Sequence, residues 1–155
     1  MLKVYQCYIL PHIEYGLSVW GPYLQKDINI LEAAQRRFTR LISCIKHLPY
    51  HQRLEALGLP SLEIRRKKID LIQAYKIWNG IDKVQGLNFT KLSEHHKVNT
   101  RMASKENFVQ PHARLDLRKN FFTLKVTQDW NNLPHEIQRA PSLQKFKDHL
   151  KKLFF

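Results

Sequence analysis

The first twenty residues, MLKVYQCYILPHIEYGLSVW, constrain the chain more than any other stretch. Wound as a helix, Val4, Tyr5, Cys7, Tyr8, Ile9, Leu10, Ile13, Tyr15, Leu17, Val19 and Trp20 leave almost no polar face. A segment apolar all round expects cover on every side. Pro11 removes a backbone donor and predicts a kink or break, and Gly16 predicts a turn. The pattern begins at residue 2 with no capping side chain, as though the chain were entered in mid-element, which is the expectation for a fragment.

The remainder predicts a mainly α fold. After the turn at Gly21 and Pro22, a helix over 26–45 carries Leu31, Ala34, Phe38, Leu41, Ile42 and Ile45 at spacings of three and four, with Asp27 as its cap. A short helix over 50–57 stops at Gly58. The next starts after Pro60 with Ser61 as cap and runs to Asn79 and Gly80. Two helices joined by a GLPS turn superficially resemble a DNA-binding helix-turn-helix, but such hairpins are common structural units and predict no groove reader. Periodicity lapses over 82–107, a polar linker. Beyond it, NFV at 107–109 and ARLDLR at 113–118 predict short strands, the second alternating Leu115 and Leu117 with charged neighbours. Phe122, Val126 and Trp130 share one face of a helix, with Trp130 as core anchor and Asn131, Asn132 and Pro134 ending it. Ser142 caps a final helix that turns Leu143, Phe146, Leu150, Leu153 and Phe154 inward. The expected organisation is a helical bundle over 1–81, the linker, and a small α-rich segment over 108–155 with one or two short strands.

Chemistry of the enzymatic kind has little to work with. The acids stand singly, no two adjacent, so no spacing predicts the converging carboxylates that hold catalytic Mg²⁺. No glycine-rich phosphate loop and no G-x-S-x-G elbow occurs. Cys44, His47 and His51 have the spacing C-x2-H-x3-H, but a structural zinc needs a fourth ligand from far away and Pro49 breaks the register between the histidines. Three ordinary side chains are the better reading, and His95 and His96 read as solvated. Cys7 reads as a buried structural thiol. The expectation is no catalytic residue, no metal and no cofactor. Two cysteines without a disulfide framework, the lack of a secretory leader, and no apolar run near the roughly 18 residues of a membrane span predict an intracellular protein, nuclear or cytoplasmic, without a membrane partner.

Charge is the informative quantity. Lys and Arg number 26 against 13 Asp and Glu, a formal net charge of +13 that cannot be neutralised within the molecule. Residues 1–35 hold only Lys3 and Lys26 against Glu14, Asp27 and Glu32, so the surplus lies beyond them. On the helix over 26–45, Arg36 and Arg40 project away from the apolar stripe and Arg37 from its shoulder. Arg65, Arg66, Lys67 and Lys68 form a second cluster, which wraps its helix and cannot face one ligand; such a run also resembles a nuclear localisation signal. Arg114, Arg118 and Lys119 form a third, and Lys145, Lys147, Lys151 and Lys152 a fourth. Clustered cations on helical faces are the electrostatic footprint of a nucleic-acid binder, and a solvated charged face is the rival reading.

The order of motifs adds what composition cannot. YILPHIEYGLSVWGP, LEAAQRRFTRLI, RLEALGLPSLEIRRKKIDLIQAYKIWNG, RLDLRKNFFTLKVTQDWNNLP and SLQKFKDHLKKL, in that order and over nearly the whole chain, closely resemble the C-terminal part of reverse transcriptases from non-LTR retrotransposons, the LINE elements of jockey and CR1 type. In that family a palm with a Phe/Tyr-x-Asp-Asp motif holds catalytic Mg²⁺ and is followed by a helical thumb and a C-terminal extension. This chain is similar to the thumb onward, so the resemblance implies a thumb-like bundle, a template and primer partner, and no counterpart of the catalytic aspartates. It also implies that the missing palm, or another apolar surface, covers residues 1–20. Arg36, Arg37 and Arg40 are then expected on the phosphate backbone, assisted by Arg65, Arg66, Lys67 and Lys68, with Arg118 and Lys119 as further contacts. The thumb role comes from the resemblance; the choice of arginines comes from helical phase. Two rivals are a decayed retroelement reading frame with no selected function and a small adapter that binds a protein through the apolar segment.

Overall fold

A computed structural model describes residues 2–85, 89–90 and 107–154, so most of the expected linker lies outside the described residues. The protein is mainly helical and falls into two compact units, Met1–Arg66 with Phe154, and Lys67–Leu153 with Phe155. The division falls inside the helix expected over 61–80, not at its end.

In the first unit, a helical turn Leu2–Val4, a π-helical segment Tyr5–Ile9 and a helix Leu10–Glu14 follow one another without interruption; together they are α1. Of the kink or break expected at Pro11, no break occurs. The ladder widens into the π turn just before the proline, which then sits at the second position of Leu10–Glu14. Gly16, in the left-handed region at φ 65°, separates α1 from α2, Leu17–Trp20. Helix α3 spans Gln25–Arg40, α4 Tyr50–Leu57 and α5 Leu62–Trp78, the last continuing into the second unit. Gly58, at φ 61°, stops α4 by donating its N–H to the carbonyls of Leu54 and Glu55. Ser61 caps α5, its Oγ accepting from the Ile64 N–H at 3.3 Å. No side chain caps α3; Asp27 lies in its first turn instead of at its cap.

Tyr5, Leu10, Phe38, Leu54, Leu59 and Leu62 form the core of this unit, with Tyr5 and Phe38 stacked at 4.2 Å between centroids. Helix α3 buries only part of the stripe its periodicity suggests: Phe38 is in the core, and Leu31 on the helix and Ile42 beyond it pack against that core. It ends at Arg40, leaves Ala34 and Leu41 exposed, and buries Glu32, Gln35 and Thr39 beside Phe38. Hydrogen bonding is the reason. The Gln35 side chain accepts from the Tyr5 hydroxyl at 2.9 Å and donates to the Pro60 carbonyl at 3.0 Å. Thr39 Oγ1 accepts from Arg53 Nε at 3.1 Å, and Glu32 accepts from the Tyr50 hydroxyl. Burial pushes the Tyr5 phenol up to about 12. Gln35→Leu leaves the Tyr5 hydroxyl and the Pro60 carbonyl without this partner and is expected to cost roughly 1–3 kcal/mol in denaturant titration. Adding Tyr5→Phe is expected to recover part of that loss, since no buried hydroxyl is then stranded.

The same unit leaves much of its apolar N-terminal segment in solvent. Among its described residues only Tyr5, Leu10 and Leu17 are buried, whereas Tyr15 is 84% and Val19 92% exposed, with Val4, Tyr8, Ile9, Trp20, Tyr23 and Leu24 also exposed. Cys7, expected to be buried, is exposed on the π turn.

The second unit packs α5 from Lys67 onward with α6, Asp116–Lys119, α7, Phe122–Asn131, α8, His135–Gln138, and α9, Leu143–Phe154. Trp130 is its centre, fully buried with Phe108 at 5.1 Å and Phe146 at 5.8 Å between centroids; Phe146 in turn stacks on Tyr75 at 4.4 Å. The Asn131 amide both donates to and accepts from the Phe108 backbone at 2.9 Å, tying residue 108 to α7. Gln138 Nε2 donates to the Trp130 carbonyl at 2.8 Å, and the Tyr75 hydroxyl to the Ala140 carbonyl at 2.7 Å. Ser142 caps α9 as expected, accepting from the Lys145 N–H at 3.3 Å. The strand expected over 113–118 is absent: the chain turns into α6, with Leu115 and Leu117 exposed and a local Lys119 to Asp116 bond of 2.8 Å. An alternating pattern makes a strand only when a partner edge completes its hydrogen bonds. Among the described residues, strand character is confined to a single bridge at Phe108, in the expected NFV segment.

Candidate nucleic-acid interface

Arg36, Arg37 and Arg40 are exposed on α3, as helical phase predicts. Arg36 and Arg40 stand one turn apart, which brings two guanidiniums to one flank. After Arg40 the chain passes through successive turns that carry Lys46 and His47, then enters α4, which carries Tyr50 and Arg53. These pieces enclose an open groove of about 590 Å³ lined by Arg36, Arg40, Lys46, His47, Leu48, Pro49, Tyr50 and Arg53. Among the described residues, four permanent cations line it and no carboxylate does.

Arg53 is buried, and Nη1 donates to the Leu48 carbonyl at 3.0 Å while Nε is held by Thr39. Two guanidiniums lie over the Tyr50 ring, Arg36 at 5.2 Å and Arg53 at 5.7 Å from its centroid. Burial, and next its hydrogen bond to Glu32, hold the Tyr50 phenol far above the ordinary tyrosine range. Neither Tyr50 nor Arg53 was singled out by sequence. The available signal was their i,i+3 spacing on one helix, which places an aromatic face beside a guanidinium.

The other expected contacts fare differently. Arg65 is ion-paired with Glu14, and Arg66 is buried on α5. Lys67 and Lys68 are half-buried and already engaged. The 65–68 run is thus dispersed round α5, as its wrapping geometry requires. In the second unit, Arg118 and Lys119 are exposed; Arg118 lies 5.2 Å over the Phe121 ring and Lys119 bonds to Asp116, whose carboxyl that bond holds below the usual range. Cys44, His47 and His51 are exposed, and among the described residues no three His, Cys, Asp or Glu side chains gather where they could hold one ion. His95 and His96 lie outside the described residues.

Two acids distant in sequence do approach each other, Asp70 and Asp129 in the second unit. Lys125 Nζ donates to buried Asp70 at 2.8 Å, and Lys67 and Lys125 both lie near Asp129, so the two carboxylates are balanced by two ammonium groups. The cluster reads as structural. Burial raises the Asp129 carboxyl, the lysines oppose the rise, and Asp70 adds to it. A carboxyl whose folded pKa is raised binds a proton more readily folded than unfolded, so its contribution to stability falls as pH rises through the aspartate range. Asp129→Asn is therefore expected to stabilise the protein at about pH 7 and to lose the advantage toward about pH 3, measured by urea denaturation at each pH.

Among the described residues no helix is long and apolar enough to cross a membrane. No protein-family model, no curated protein and no solved structure matches the chain.

Proposed function

We propose that this chain is the thumb-onward part of a non-LTR retrotransposon reverse transcriptase, which holds nucleic acid by its phosphate backbone and does not polymerise nucleotides by itself. The observation that carries the reading is the groove in which Arg36, Arg40, Lys46 and Arg53 converge with no carboxylate from the described residues. The collinear resemblance supplies the family, and the helical fold is the one that resemblance implies. Phosphate contacts carry no sequence information directly, so binding is expected to be sequence-independent.

Fluorescence anisotropy with several unrelated duplex and RNA–DNA hybrid probes tests this. Affinities agreeing within about tenfold are expected, because specific recognition separates sites by roughly 10³ or more. Discrimination of that size, or no binding to any probe at low salt, contradicts the reading. Primer extension with dNTPs and Mg²⁺ is expected to give no incorporation. The exposed apolar residues of α1 and α2 favour a protein surface as a second partner, which in this reading is the palm; the adapter reading rests on the same residues.

A further inference from the structure

Arg53 is unusual among the groove residues. It is 4% exposed, and no carboxylate among the described residues pairs with it. Its two bonds go to neutral acceptors, Nε to Thr39 Oγ1 and Nη1 to the Leu48 carbonyl, and the side chain lines the groove with Nη2 left over. An arginine cannot shed its proton, so a full positive charge is held almost wholly buried without an ion pair among the described residues, and its Nη2 is left to the open groove. Taking a charge out of water is costly unless a counter-charge completes it. The groove is where that counter-charge can arrive.

Tyr50 bears on what arrives. An aromatic ring in a basic groove is normally a platform on which a base stacks. Here the hydroxyl is tied to the buried carboxylate of Glu32, and the guanidiniums of Arg36 and Arg53 lie over the ring. We infer that the groove is a phosphate seat in which Arg53 is a buried binding residue and Tyr50, held by Glu32, positions Arg36 and Arg53 on phosphate oxygens instead of stacking on a base. The inference rests on the nucleic-acid reading and deepens it: the ligand is a phosphate oxyanion of a polynucleotide, either an internal diester or a terminal phosphate.

The test is anisotropy with the whole chain and three labelled strands of equal length: oligo-dT ending in a 5′-hydroxyl, the same strand ending in a 5′-phosphate, and an abasic sugar-phosphate strand. The abasic strand is expected to bind within about threefold of oligo-dT, since on this inference no stacked base contributes to the affinity of either. Tyr50→Leu is expected to weaken all three strands alike by about three- to tenfold, and Arg53→Lys, which keeps the charge but loses the fork, by a similar factor. Equal affinity for the two 5′ ends assigns the seat to internal diesters, and a tenfold preference for the phosphorylated end assigns it to the terminus. Loss confined to base-bearing strands in Tyr50→Leu makes Tyr50 a stacking platform and overturns the inference. So does wild-type affinity in a folded Arg53→Lys variant. If that variant does not fold, the Arg53 side-chain N–H resonances of the wild type are followed by NMR during titration with the abasic strand; they are expected to shift, and unmoved resonances overturn the inference. Unaltered binding in the variants leaves the general nucleic-acid reading standing, whereas a wild type that binds no strand removes both.

Discussion

Reversing Arg36 and Arg40 together to glutamate is expected to weaken nucleic-acid binding by about a hundredfold at low salt, equally for every sequence tested. Each reversal removes an attraction to phosphate and adds a repulsion, roughly 1–2 kcal/mol apiece at a solvated site, and 1.4 kcal/mol is about tenfold. Both side chains are exposed, so the melting temperature should stay close to wild type. Arg36→Glu also gives up the contact over Tyr50, which makes it the more damaging of the two single changes. Lys3→Glu with Lys26→Glu, two exposed changes outside the groove, matches the double variant in net charge, serves as its control and should cost less than about tenfold. Losses of equal size in the control and in the double variant, measured by anisotropy, would mean that binding follows overall charge and not the groove.

The largest effect on stability is expected from Trp130→Ala. The indole is fully buried, stacked near Phe108 and Phe146, and its backbone carbonyl is fixed by Gln138. Truncating such a side chain removes its burial and leaves a cavity, at a cost of about 3–5 kcal/mol. That is a large fraction of the roughly 5–15 kcal/mol that holds a domain together, and should lower the melting transition of the second unit by on the order of 15 °C. Trp130→Phe keeps an aromatic body for Phe108 and Phe146 to pack against and should cost markedly less. A thermal melt followed by circular dichroism checks both. A Trp130→Ala protein that melts like wild type would remove Trp130 from the centre of the core.

How far the sequence could be read depended on what kind of interaction set each position. Helices announced by apolar spacing and by Gly58, Ser61 and Ser142 stand close to where those signals put them, because capping and turn chemistry are local. Trp130 is the core anchor that its helical phase implies. The inward face of α3 departs from its apolar spacing because Gln35 and Thr39 are polar by type but are buried by partners distant in sequence, Tyr5, Pro60 and Arg53. No periodicity reports a hydrogen bond across such separations. The 113–118 segment is helical for the complementary reason: alternation is present, but among the described residues no neighbouring edge pairs with it.

The site was half legible. Arg36, Arg37 and Arg40 were visible as a basic flank, since exposure on a helix follows from phase. Arg65 and Arg66 have the same residue type in the same density, yet one meets Glu14 and the other is buried. Charge runs therefore mark candidates, and packing decides which of them reach solvent. Arg53 was passed over because it stands alone in α4, and only the turns after Arg40 bring it to the groove.

The most direct measurement is the affinity of the whole chain for a short duplex as a function of salt, plotted as log K against log salt concentration. A phosphate-holding groove predicts a straight line of negative slope, about −0.9 for each phosphate neutralised and at most about −3.6 from its four cations. A slope near zero, with binding that persists at high salt, would contradict the account, because an interaction that releases no counterions is not a grip on the phosphate backbone.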